Sequence, residues 1–236
     1  MGQAVALPRH LCVYCGAVAT TRDHVPPRSL LEKPFPPNLR TVPSCLGCNR
    51  GASKDEEYFL ALIAQVSLSP HIAAKLAPGG SIDRAFVRSP ALEELFLASM
   101  GVDEETGKPF IRPNFSRVGR VVKKIAVGLF ALRYGWVPPA EDVGAAQLYP
   151  YELRDDRPLP YFISTFTEGF QSKRWKSVQV GVFSYIFVRD PMHSGTVWCV
   201  VDIHRSFWGV VHLPCARRGQ VRSNRQLSLF GVKNAT

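Results

Sequence analysis

Four of the six cysteines fall into two Cys-x-x-Cys pairs, Cys12/Cys15 and Cys45/Cys48. A pair with this spacing on a tight turn offers two thiolates to one ion, and two pairs complete the tetrahedral set of a closed structural zinc site. The 29 residues between Cys15 and Cys45 are more than a simple zinc ribbon needs. They contain Arg22-Asp23-His24-Val25-Pro26-Pro27 and then Asn38-Leu39, and the second pair runs directly into Asn49. Hydrolysis of a phosphodiester needs a base for water, a Lewis acid for the leaving oxygen, and positive charge for the phosphate. His24 titrates near neutrality and suits the first task. Asp23, its neighbour on an extended segment, faces the opposite side and can hold a metal while His24 faces water. Plainer readings stand beside these: Asp23 as a turn acid, Asn38 as a turn residue after Pro36-Pro37, and Asn49 as a helix cap. Cys199 and Cys215 stand alone in apolar surroundings and read as small buried hydrophobes.

Charge points the same way. The chain has 236 residues and a formal net charge of +10. Such a surface attracts polyanions, because each Lys or Arg that neutralises a phosphate releases condensed counterions. No apolar run approaches the roughly 18 residues of a membrane span, and residues 1–6 lack the features of a secretory signal, so the expectation is a cytoplasmic protein. In that compartment paired cysteines ligate metal rather than form disulfides.

Taken together, two Cys pairs, Asp23-His24, Asn38 and Cys48-Asn49 resemble the HNH endonuclease family in its zinc-stapled branch, over about residues 10–60. The stretch Val42-Pro43-Ser44-Cys45-Leu46-Gly47-Cys48-Asn49 followed by Ser53 to Phe59 looks like uncharacterised bacterial proteins of that branch. The resemblance implies a β-hairpin and helix around one divalent cation, a ββα-metal or treble-clef arrangement. It implies catalytic roles for His24 as general base, for Asn38 in holding the hairpin and orienting His24, and for Asp23 and Asn49 as ligands of catalytic Mg²⁺. Asn49 departs from the final His of the family name, but its amide oxygen suits a hard ion. The structural zinc would sit on Cys12, Cys15, Cys45 and Cys48. Implied is a metal-dependent endonuclease acting on nucleic acid, with double-stranded DNA as the first substrate. The competing expectation is a zinc-dependent nucleic-acid-binding module without chemistry.

The elements that must position these residues are legible in outline. Residues 10–54 are rich in Pro, Cys and turn formers, so the metal is expected to replace a hydrophobic core there. Ser53 reads as the cap of a helix with Asp55, Glu56 and Glu57 in its first turn and Phe59, Leu62, Ile63 and Val66 at helical spacing; Pro70 should end or bend it. Breakers at 78–80, 107 and 109 divide a helical connector. Val118, Val121, Val122, Ile125, Leu129 and Leu132 then mark the apolar stripe of a helix of roughly twenty residues, opposite Arg117, Arg120, Lys123 and Lys124. Strands are expected at 161–166, 178–188, 197–203 and 207–213, in an antiparallel meander.

The expected fold is α+β: a zinc-stapled module at 1–66, a helical connector at 67–112, an α+β unit at 113–215 and a basic tail at 216–236. Arg50, Lys54, Arg117, Arg120 and Lys124 are the candidate nucleic-acid contacts, although a basic stripe opposite an apolar face is also the ordinary wet side of a helix. Arg174-Trp175-Lys176 and the tail arginines Arg217, Arg218, Arg222 and Arg225 could add stacking and counterion-release affinity. The C-terminal unit is a candidate surface for a protein partner or a homodimer. His10, His71, His193, His204 and His212 show no recognisable partner spacing and are assigned to core or surface.

Overall fold

The structure is a computed structural model, and it describes residues 10–67, 69–150, 175–190, 193 and 195–215. The expected strand at 161–166, Arg174 and the arginines of the tail lie outside the described residues.

The chain is α+β. Strand β1 (Thr21–His24) pairs antiparallel with β2 (Thr41–Ser44), setting Asp23 opposite Val42 and His24 opposite Thr41. A short 3-10 turn at Arg28–Leu30 lies in the excursion between them, and helix α1 (Leu46–Gly51) follows β2 at once. Helix α2 (Ser53–Val66) buries Tyr58, Phe59, Leu62 and Ile63. Ser53 is its first residue rather than its cap: Ala52 holds the cap position and no side chain bonds there. Pro70 opens the next helix, α3 (Pro70–Leu76), instead of ending α2, because a proline lacking its N–H costs nothing in a first turn. Helices α4 (Ser81–Arg88) and α5 (Pro90–Leu97) complete the helical stretch, and a small hairpin, β3 (Met100–Val102) with β4 (Pro109–Ile111), closes it.

Helix α6 (Phe115–Tyr134) is the twenty-residue helix of the apolar stripe. Asn114 starts it by accepting the Arg117 backbone N–H at 3.2 Å, and Gly135, at φ 72°, ends it in the left-handed region that a glycine enters without strain. Val118, Val121, Val122, Ile125 and Leu129 are no more than 2% exposed. The helix is a wall shared by two layers. On one side, a Cβ at Gly128 would stand 2.7 Å from Val25, so glycine lets the β1 end of the hairpin lie directly on the helix.

On the other side lies a five-stranded antiparallel sheet in the order β5-β9-β8-β7-β6. Strands β6 (Lys176–Gln179), β7 (Phe183–Arg189), β8 (Thr196–Ile203) and β9 (Phe207–Pro214) form the expected meander, and β5 (Gln147–Pro150) adds an edge. The single strand anticipated at 178–188 is two, because Gly181 at φ 74° turns the chain between β6 and β7. β8 buries one face throughout, at Val197, Cys199, Val201 and Ile203, and only Val200 on the other. Cys199 within it is fully buried, as its surroundings suggested.

Below the cysteines the molecule differs from expectation. Val13, Val25, Leu30, Leu31 and Val42 are no more than 3% exposed, and they join one buried cluster that continues through α2 and α6 to Leu213 of β9. The N-terminal segment therefore has apolar support as well as its cysteines.

Candidate functional site

The four cysteines converge. Gly16, at φ 75°, lets the first turn close, with its N–H on the Cys12 carbonyl at 2.9 Å. Hydrogen bonds from Val13 N to Pro43 O and from Thr20 N to Ser44 O tie that turn to β2. The second pair opens α1, where the Cys45 sulfur caps the helix by accepting the Cys48 N–H at 3.3 Å. All four Sγ atoms lie within 4.8 Å of one another, and Cys15 and Cys45 are 3.7 Å apart. Sulfurs about 2.3 Å from a tetrahedral zinc stand roughly 3.8 Å from each other, so this spacing fits a shared ion, and the cysteines are free of disulfides. Burial pushes the Cys12 thiol up, but hydrogen bonds from the backbone at Cys45, Tyr14 and Cys15 outweigh it and bring the group down to about 6. The cluster can hold a metal ion such as zinc.

His24 stands part-buried at the end of β1. Burial and the neighbouring Arg28 charge lower its pKa below the ordinary histidine value, against an opposing pull from Asp23, which favours the neutral form that can accept a proton. Alternation along β1 puts Arg22 on the same face, where its guanidinium reaches across the hairpin to the Thr41 hydroxyl at 2.7 Å and carbonyl at 3.1 Å. Arg22 and Arg28 are exposed, as is Arg40, whose carbonyl accepts the Val25 N–H beside His24. None of the three forms an ion pair among the described residues.

Asp23 faces the interior. Its side chain is 8% exposed and lies 2.8 Å from the Lys124 ammonium, which also pairs with Glu56 at 2.8 Å. Burial alone would lower Lys124, but Glu56 and Asp23 outweigh it and hold the amine above its usual pKa. Tyr14 packs beside this cluster with Lys124 over its ring at 5.6 Å, and its phenol is raised by burial and then by the Asp23 charge. Asn49 sits on α1, where its amide nitrogen donates to Thr21 Oγ1 at 3.1 Å and to the Arg22 carbonyl at 3.3 Å. A carbonyl can only accept, so the amide nitrogen must face the strand. Asn49 thus ties α1 to β1, the hairpin-holding task assigned above to Asn38. Asn38 itself is exposed, in a turn where Leu39 N bonds Pro36 O, and no hydrogen bond joins its side chain to His24 among the described residues. Asp23 carries a lysine on its carboxylate, whereas Asn49 engages the strand through its amide nitrogen and not through the oxygen expected to ligate.

The candidate phosphate contacts separate into two groups. Arg50 and Lys54 are exposed and unpaired among the described residues. Arg117 and Arg120 both bind Asp55, at 2.9 and 2.8 Å, and Lys124 is 10% exposed between its two carboxylates. These three cations of α6 join that helix to α2 and β1. Lys123 of the same stripe donates to the Val143 carbonyl at 3.1 Å.

Residues without a sequence signal also shape the site. The segment after the hairpin strand is clasped by three distant donors: Lys75 to the carbonyls of Ser29 and Leu31 at 2.9 and 3.0 Å, His204 to that of Leu30 at 2.9 Å, and Gln179 to that of Glu32 at 3.0 Å. His204 is buried at the β8–β9 turn, and burial lowers its pKa. On the far side of the sheet Asp190 accepts from His193 and His212, at 3.0 and 3.1 Å. Among the described residues no helix is long and apolar enough to cross a membrane.

Compared with protein-family models, curated proteins and solved structures, the chain matches none.

Proposed function

We propose that the chain is an HNH-type nuclease that hydrolyses phosphodiester bonds of DNA, with His24 as the general base. The observation that carries this reading is the setting of His24: a part-buried imidazole whose pKa is lowered by burial and by the charge of Arg28, on a strand face shared with exposed Arg22. In the proposed step His24 takes a proton from water while the water oxygen bonds phosphorus. The bond from phosphorus to the departing 3′ oxygen breaks, and that oxygen takes a proton from solvent. The arginines neutralise the phosphate during attack. Cys12, Cys15, Cys45 and Cys48 would hold structural zinc that keeps the hairpin in register. The family resemblance implies a Mg²⁺ ion at Asp23 and Asn49, where Lys124 already sits on the Asp23 carboxylate.

One observation favours a second reading, a zinc-stapled nucleic-acid-binding module without chemistry: Asp23 is committed to Lys124. Supercoiled plasmid incubated with the zinc-loaded chain in Mg²⁺, in Mn²⁺ or in EDTA separates the two. The nuclease reading expects nicked product, and the metal arms decide whether a divalent ion takes part. Plasmid that is bound but never nicked under all three conditions establishes the binding module instead.

A further inference from the structure

Two histidines without any partner spacing in the sequence, His193 and His212, meet at one carboxylate in the fold. Asp190 directly follows β7, His193 lies between β7 and β8, and His212 stands on β9. Alternation along β9 puts Val211 and Leu213 in the cluster shared with α6, so His212 faces the other side of the sheet. The Asp190 side chain is 4% exposed, and its Oδ2 lies 3.0 Å from His193 Nδ1 and 3.1 Å from His212 Nε2. Two imidazole nitrogens therefore converge on a single, nearly buried oxygen.

The surroundings hold this arrangement from the backbone outward. The Asp190 N–H donates to the Thr196 carbonyl at 3.1 Å and joins the end of β7 to the start of β8. Asp190 Oδ1 accepts the His193 N–H at 3.3 Å, and Thr196 Oγ1 donates to the His193 carbonyl at 2.7 Å. Trp198, the cross-strand partner of His212, lies against its imidazole with ring centroids 4.4 Å apart. The Gly144 N–H donates to the His212 carbonyl at 2.9 Å, and a Cβ at Gly144 would stand 3.1 Å from that of His212.

Two histidines and a carboxylate are a ligand set of zinc and its transition-metal neighbours rather than of Mg²⁺. Ligand atoms about 2.1 Å from a tetrahedral ion stand roughly 3.4 Å from each other, so both edges that meet at Asp190 are near the required length. The third edge is wider. Two imidazoles on one tetrahedral zinc have centroids roughly 5 Å apart, against 6.1 Å between His193 and His212. His193 is the side chain able to close that gap, being 69% exposed, whereas His212 is 30% exposed and packed on Trp198. We propose that Asp190, His193 and His212 form a metal site, separate from the four cysteines, that takes Zn²⁺ or a similar divalent transition ion on the outer face of the sheet. Each neutral imidazole moves its proton to its other ring nitrogen and gives the vacated lone pair to the ion, while Asp190 Oδ2 exchanges two N–H donors for the ion's charge. Three protein ligands leave one position for water or an anion. The site does not depend on the nuclease reading.

The test adds Zn²⁺ at pH 7.5 to the full chain already carrying one zinc on its cysteines and follows uptake by calorimetry. One further ion per chain is expected. Losing even a hydrogen-bond partner of a ligand costs about 10–100-fold in affinity, so uptake should weaken at least about tenfold in His212→Gln and in His193→Gln. The first keeps an N–H for Asp190, and the second, on an exposed side chain, keeps the test if the first harms folding. His71→Gln, which removes an exposed histidine elsewhere, should leave uptake unchanged. Cobalt(II) as the second ion should show the weak visible bands of nitrogen and oxygen ligands. No uptake beyond the cysteine zinc would overturn the proposal, as would equal uptake in wild type and both variants, or equal loss in His71→Gln. Intense sulfur-to-metal bands alone would assign the added cobalt to the cysteines and overturn it as well.

Discussion

Cys45 contributes two things: a sulfur to the four-cysteine cluster and the acceptor that starts α1. Cys45→Ala therefore should abolish stoichiometric zinc binding and loosen both knuckle turns. The apolar residues beneath, from Val13 to Val42, remain packed on α2 and α6, so the rest of the molecule should stay folded. Zinc content by mass spectrometry and amide exchange check this: fast exchange confined to residues 11–20 and 41–50 is expected, and retained zinc or global unfolding is not. At this scale the cysteines were legible because the doubled Cys-x-x-Cys spacing has few other uses. The asparagines were not. Asn38 and Asn49 both suit turns and caps, and only the bond from Asn49 to the Arg22 carbonyl shows which of them holds the hairpin.

Among the elements, α6 was the most legible, since a 3.6-residue apolar stripe with a polar opposite face has no other good solution. Its charged residues were harder to place. Lys124 reads as a surface cation in sequence, yet it is the shared partner of Asp23 on β1 and Glu56 on α2, 68 residues away in the case of Glu56. Lys124→Met should cost about 3–5 kcal/mol, because it strands two buried carboxylates. Urea denaturation checks this, and adding Asp23→Asn to the same chain should recover part of the loss. Restored stability in the pair and not in the single variant identifies the ion pair as the cause.

The clasp around residues 29–32 gives the elements a pH response. His204 must donate from Nε2 to Leu30, and its pKa in the fold lies below that of an unfolded histidine. Between the two values the unfolded chain binds more protons, so stability is present above the ordinary histidine value near 6.5 and is lost as pH falls through and below it. His204→Gln can keep a donor to Leu30 without titrating. The fall in melting temperature from pH 7.5 to pH 5 should therefore be shallower in His204→Gln than in wild type. Equal falls would assign the acid sensitivity to other groups.

For the whole molecule, composition and local pattern predicted an α+β chain and a meander, and these are present. They did not predict that a single buried cluster runs from the cysteine-bearing segment to the last strand, nor that Gln179 and His204 hold the segment after the hairpin. Those contacts join residues 147 and 174 positions apart, and nothing in a local pattern encodes them. The proline at 70 was read as a helix end and the glycine at 181 was passed over inside one strand, whereas the fold uses the first to start a helix and the second to turn between strands. Net charge was legible as a total; its division into paired cations on α6 and unpaired ones near His24 required the tertiary structure.

The central claim is that His24 is a base acting on a phosphodiester, and its most direct test is single-turnover cleavage of a labelled duplex against pH, with Mg²⁺, Mn²⁺ or EDTA. Because burial and Arg28 lower the His24 pKa, the rate should rise tenfold per pH unit in acid and level off at a lower pH than an ordinary histidine would give. His24→Ala should run about 10²–10⁴-fold slower and lack the acid limb, with zinc content and duplex binding unchanged. Cleavage by His24→Ala at the wild-type rate, or a wild-type rate with no acid limb, would contradict the account.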